Sequence, residues 1–113
     1  LKRRFSRGVT QLAEDLNAKL VIYSMNGNTA RELATVRPKV DVYVGVPNVK
    51  VCRAINILWG IKTFLVPAEA YNDGLEKTYR MLIDEGLITL GDISVLTYGL
   101  RDEEQVIKVR RYL

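Results

Sequence analysis

The chain has 113 residues, 48% hydrophobic and 27% charged, which suits one soluble globular domain with a modest core. It lacks histidine and has one cysteine, Cys52; this excludes Ser-His-Asp and Cys-His nucleophile systems, histidine-based zinc or iron sites, internal disulfides and zinc-thiolate clusters, and fits a reducing compartment. The formal charge of +4 sits mainly at the ends, in Lys2, Arg3, Arg4 and Arg7 and in Lys108, Arg110 and Arg111, and no apolar run approaches the roughly 20 residues that span a bilayer.

Phe5, Val9, Leu12 and Leu16 recur at helical spacing and predict an amphipathic helix over 5–18. Leu20-Val21-Ile22-Tyr23 is a continuous apolar run, as in a strand covered on both faces. Ser24 to Thr29 is turn chemistry, followed by a second helix carrying Ala30, Leu33, Ala34 and Val36 and stopped at Arg37-Pro38. A strand is expected over 40–46. Asn48 then caps a third helix bearing Val51, Cys52, Ile55, Leu58 and Trp59, with Gly60 as its C-cap. A third strand is read over 61–66. Tyr71, Leu75, Tyr79 and Leu82 trace a fourth helix closed by Gly86.

Residues 93–97 form the fourth predicted strand. Residues 105–112 alternate as a half-exposed edge strand, pairing antiparallel with the fourth because no helix separates them. This alternation implies an α/β three-layer sandwich, with a mainly parallel five-stranded sheet and an antiparallel edge hairpin, in a single domain spanning 1–113. The start without Met is read as a piece of a longer chain.

Generic α/β chemistries fail on residues. Only Gly27 stands where a dinucleotide fold needs three spaced glycines, and no P-loop pattern occurs. The first three strands run into Ser24, Gly45-Val46 and Pro67, so none ends in a carboxylate that would hold magnesium. Glu14-Asp15, Asp84-Glu85 and Asp102-Glu103-Glu104 read as solvated faces. No acid–base pair emerges, and the domain alone is not expected to catalyse. The basic ends lack interleaved aromatic residues, so neither a nucleic-acid partner nor a membrane partner is expected.

One place has ligand-binding logic. Ser24, Asn26, Gly27, Asn28 and Thr29 follow the first strand and introduce a helix, where free backbone N–H groups and the helix dipole favour an anion. The same residues also serve as an ordinary helix start, with Asn26 or Asn28 capping and Gly27 permitting the turn; spacing alone favours that simpler role. Cys52 and Trp59 read as core residues. Tyr43 and Tyr98 are candidates for a subunit contact.

The run from Ala18 through Ser24-Met25-Asn26-Gly27-Asn28-Thr29-Ala30, followed by Arg37-Pro38, resembles the C-terminal domain of pyruvate kinase. So do Val51-Cys52-Arg53-Ala54 with Trp59-Gly60-Ile61, the 71–86 helix, and Gly91-Asp92-Ile93-Ser94-Val95-Leu96-Thr97. The ordered set spans nearly the whole chain. The resemblance implies a regulatory and oligomerisation domain in a homotetrameric cytoplasmic enzyme of glycolysis. That enzyme transfers phosphoryl from phosphoenolpyruvate to ADP, using magnesium and a monovalent cation such as potassium in a barrel domain of the same chain. No cofactor is implied for this domain. The other expectation is a free-standing, non-catalytic domain of the same fold that binds a phosphorylated metabolite or a protein partner.

The resemblance also gives Ser24, Asn26, Gly27, Asn28 and Thr29 an effector phosphate to hold. Met25 and Asn28 stand where sugar-bisphosphate-regulated members often carry Lys and Arg. The aromatic residue and arginine that hold a second phosphate in such members fall at Tyr71 and Thr78, so the aromatic is kept and the arginine is not. The acids of Leu100-Arg101-Asp102-Glu103-Glu104 replace a glycine-rich loop and would repel phosphate. Fructose 1,6-bisphosphate is therefore not the expected effector; the alternatives are a monophosphate such as AMP or a sugar monophosphate, or no effector at all.

Overall fold

A computed structural model describes residues 2–98 and 105–113. Four helices and five strands follow one another as α1 (Lys2–Asp15), β1 (Lys19–Tyr23), α2 (Asn28–Val36), β2 (Val42–Val46), α3 (Val49–Ile55), β3 (Ile61–Leu65), α4 (Tyr71–Asp84), β4 (Ile93–Tyr98) and β5 (Ile107–Arg111). The strands form one sheet in the order β3-β2-β1-β4-β5. β1 pairs parallel with β2 and β4, β2 pairs parallel with β3, and β4 and β5 form the antiparallel hairpin.

Period-two side-chain direction splits the apolar run of β1 between two cores. Leu20 and Ile22 join Val9, Ala13, Leu33 and Ile55 beneath α1, α2 and α3. Val21 and Tyr23 join Leu75, Tyr79 and Leu82 beneath α4. The predicted three layers are therefore present, with three helices on one face and one on the other.

Two glycines let α4 lie close to the sheet. A Cβ on Gly74 would sit 2.4 Å from the Tyr23 ring, and one on Gly45 would sit 2.0 Å from Thr78 Oγ1. Helix ends follow the sequence signals. Asn48 Oδ1 accepts the amide of Val51 at 3.0 Å. Gly86, at φ +76, ends α4, where the Leu87 amide donates to the Leu82 carbonyl.

Three expectations need correction. α3 ends at Ile55 with Asn56 as its C-cap; Gly60, at φ +71, instead makes the turn into β3. Trp59 therefore lies beyond the helix and is 56% exposed, because its place in the apolar period stops counting once the helix has ended. Arg37 lies over its indole, 5.5 Å from the ring centroid. Tyr43, at 2% exposure, is buried within the chain against Phe64 and is no surface contact. The acidic run 102–104 lies outside the described residues.

Candidate phosphate-binding loop

Strand additions reverse at β1. β2 and β3 extend the sheet on one side, while β4 and β5 extend it on the other. In open α/β sheets the crevice at such a reversal, beyond the C-terminal strand ends, is where ligands bind. Residues 24–29 leave β1 at this point.

The loop is built by its own side chains. The Ser24 amide donates to the Gly45 carbonyl at 3.0 Å, continuing the sheet ladder by one residue. The buried Ser24 hydroxyl oxygen accepts the Gly27 amide at 3.0 Å. Asn26 Oδ1 accepts the Asn28 amide at 3.0 Å. Gly27 takes φ +86, ψ −3, and a Cβ there would lie 2.7 Å from Ile55 Cγ2, so both conformation and space call for glycine. The Arg31 amide bonds the Gly27 carbonyl at 3.0 Å and closes the first turn of α2.

This arrangement divides the five expected residues. Ser24 is enclosed and works as a turn former, while Asn26 and Asn28 are exposed and Thr29 is half-buried. The Gly27 and Asn28 amides are occupied by side chains of the loop. The amides of Thr29 and Ala30 stand in the first turn of α2, where a helix leaves amides without an intrahelical carbonyl, but Ala30 is fully buried. The amide and hydroxyl of the half-buried Thr29 are the donors left for an anion.

Arg31, which sequence reasoning passed over, is exposed beside the loop. Its Nη1 donates to Asn28 Oδ1 at 3.2 Å and to the Asn26 carbonyl at 3.4 Å. The signal was its position three residues after Asn28, which on a helix puts both on one face. Met25 turns toward the apolar core under α4, so the loop's cation comes from α2.

The two more distant positions separate. Tyr71 packs against Tyr98 with the rings tilted by 40° and their centroids 5.6 Å apart, beside the crevice at the end of β4. Thr78 is fully buried, and its hydroxyl donates to the Gly74 carbonyl at 2.7 Å. It lies two turns into α4 under Gly45, so this position, where the arginine is missing, holds no ligand.

A second polar cluster fastens β5. Glu76 of α4 accepts Lys108 at 2.7 Å and both terminal nitrogens of Arg110, at 2.7 and 3.0 Å. Hydrogen bonding from Arg110, supported by Lys108, lowers the Glu76 pKa to about 2 against the opposing effect of burial. Lys108 also donates to Asn72 Oδ1 at 2.6 Å, and the Arg110 guanidinium lies 4.9 Å from the Tyr79 ring centroid. These contacts are architectural.

Residues 4–109 match the family model described as pyruvate kinase, alpha/beta domain. The chain is 41% identical over 109 residues to the pyruvate kinase of Pyrobaculum aerophilum, covering 95% of this chain and 22% of that protein. It is 36% identical to the pyruvate kinase of Aeropyrum pernix, covering 95% and 23%. The crystal structure of the Pyrobaculum aerophilum enzyme superposes with a TM-score of 0.79 at 38% identity, over 96% of this chain and 23% of that one. A Cryptosporidium parvum pyruvate kinase in complex with ADP shares the fold, with a TM-score of 0.83 at 24% identity over 99% of this chain and 24% of that one. The chain thus spans between a fifth and a quarter of the length of these relatives.

Proposed function

The chain belongs to the pyruvate kinase family, as its alpha/beta domain, and from that premise we propose that it regulates and helps assemble an enzyme transferring phosphoryl from phosphoenolpyruvate to ADP in glycolysis. The transfer itself is assigned to a barrel domain of the same polypeptide, with magnesium and a monovalent cation, and to a homo-oligomeric cytoplasmic enzyme. Among the described residues no three His, Cys, Asp or Glu side chains group to hold a metal ion, and no helix is long and apolar enough to cross a membrane.

Within it, the 24–29 loop receives one phosphate group of a small effector. The observation that carries this reading is the position of the Arg31 guanidinium, beside the loop at the reversal of the sheet. Arg31 would leave Asn28 Oδ1 for a phosphate oxygen, exchanging a neutral acceptor for an oppositely charged one that the planar guanidinium can meet with two parallel bonds. The Thr29 amide and hydroxyl would complete the contacts, helped by the helix dipole.

The effector class is a monophosphate. A second phosphate would have to find its cation elsewhere, because Thr78 is buried and Met25 is apolar. Calorimetric titration with AMP, a hexose monophosphate and fructose 1,6-bisphosphate tests this. The expected result is binding of a monophosphate, with no gain from the second phosphate. Tight binding of the bisphosphate alone would overturn the assignment.

A further inference from the structure

We propose that the loop after β1 carries a site of spontaneous covalent modification, the Asn26–Gly27 peptide, at which Asn26 loses its side-chain amide to become aspartate or isoaspartate. The proposal rests on backbone geometry and does not require that the loop bind phosphate.

Asparagine side chains cyclise when the following peptide nitrogen attacks their carboxamide carbon. A following glycine leaves that attack unobstructed because it has no Cβ. Asn26 alone precedes a glycine; Asn17, Asn28, Asn48, Asn56 and Asn72 precede Ala, Thr, Val, Ile and Asp. The fold adds to this local preference. Asn26 is exposed, so water reaches its carboxamide. Its Oδ1 accepts the Asn28 amide at 3.0 Å, which turns the carboxamide forward over the Asn26–Gly27 peptide and polarises the carbonyl under attack. The Gly27 amide donates to the Ser24 hydroxyl oxygen at 3.0 Å within the buried turn, so the nucleophile is restrained by this one side-chain bond and must leave it to attack. The Asp73–Gly74 peptide makes a useful contrast. There the glycine amide is bound to the Ala70 carbonyl at 3.0 Å within the backbone ladder of α4, so freeing it means opening a helix turn and not only parting from one hydroxyl.

The chemistry consumes one water overall. Hydroxide removes the Gly27 amide proton, and the nitrogen forms a bond to Asn26 Cγ. The bond from Cγ to the side-chain nitrogen breaks, and ammonia leaves with a proton from water. Water then opens the cyclic imide at either carbonyl. Opening at one restores the ordinary backbone with aspartate; opening at the other inserts a methylene into the main chain as isoaspartate. Either product puts a carboxylate beside Arg31. If the loop binds phosphate, that charge competes for the same guanidinium, and affinity falls as the protein ages.

The test is to incubate the folded 113-residue chain at neutral and mildly alkaline pH and follow it by peptide mass spectrometry with enzymatic isoaspartate labelling. The expected result is a one-dalton mass gain confined to the peptide containing Asn26, faster at the higher pH, with isoaspartate label at that residue. Asn26→Ser should abolish the label, and Ser24→Ala, which releases the Gly27 amide, should raise its rate; a lower rate would contradict the restraint given to that bond. An Asn26 that stays intact in the folded chain while the urea-unfolded chain reacts would overturn the proposal, as would gain spread over the other asparagines. Inorganic phosphate binding, measured on fresh and aged samples, reads the functional consequence separately. Modification without a change in phosphate binding would refute the effector reading and leave the chemistry standing.

Discussion

The Tyr23 hydroxyl donates to the Val66 carbonyl at 2.7 Å, tying the end of β1 to the residue after β3 across the intervening β2. Its ring lies under Gly74 of α4, fully buried. Burial raises the Tyr23 pKa, with a further contribution from Asp73, so the group stays a neutral donor at physiological pH. The floor beneath the candidate loop is therefore set by one phenol and one missing methyl group.

Gly74→Ala brings a methyl group against a ring that cannot retreat without breaking its bond to Val66. Overpacking of this kind costs about 1–3 kcal/mol, more than the roughly 1 kcal/mol that alanine gains over glycine in a helix. Urea denaturation should show a net loss of stability, and the loss should shrink in a Tyr23→Leu background, where the ring is gone.

Glu76 should give the chain an acid-sensitive hold on β5. Its folded pKa of about 2 lies below the unfolded value of 4.5, so the unfolded state binds the proton first. The stabilisation is complete above pH 4.5 and is lost as pH falls through that value toward 2. Glu76→Gln should flatten the stability profile in that window. At neutral pH it should cost about 1 kcal/mol, since the pairs are partly solvated.

Arg31 and Ser24 should separate binding from folding. Arg31→Ala should weaken monophosphate binding about tenfold, near 1.4 kcal/mol, with little effect on unfolding. Ser24→Ala leaves the Gly27 amide without its acceptor and should cost about 1–2 kcal/mol of stability as well. Calorimetry and urea unfolding on both variants would check this; equal effects on binding would contradict the role given to the guanidinium.

Trp59 is the only tryptophan, so its fluorescence reports one position. At 56% exposure it should be readily quenched by acrylamide in the folded chain. It borders an open groove of about 500 Å³ formed with Pro38, Asp41 and Lys62 at the N-terminal edge of β2 and β3. Trp59→Ala should change stability by no more than about 0.5 kcal/mol beyond the loss of its Arg37 contact. A loss the size of a core truncation would refute the exposure.

The sequence by itself determined the element order, the mainly parallel sheet and the closing hairpin. These follow from continuous apolar runs, helical spacing and the turn signals at Asn48 and Gly86, all of them local. It also singled out residues 24–29 as a helix start with the chemistry of a candidate anion site. Tertiary structure decided what each side chain there is free to do. Ser24 and Thr78 were drawn inside, because Gly27 packs on Ile55 and Gly45 admits Thr78; Arg31 came to the loop because a helix turn set it over Asn28. Trp59 went outward because the helix ended before it. Burial depends on which surfaces meet, and residues far apart in the chain settle that together.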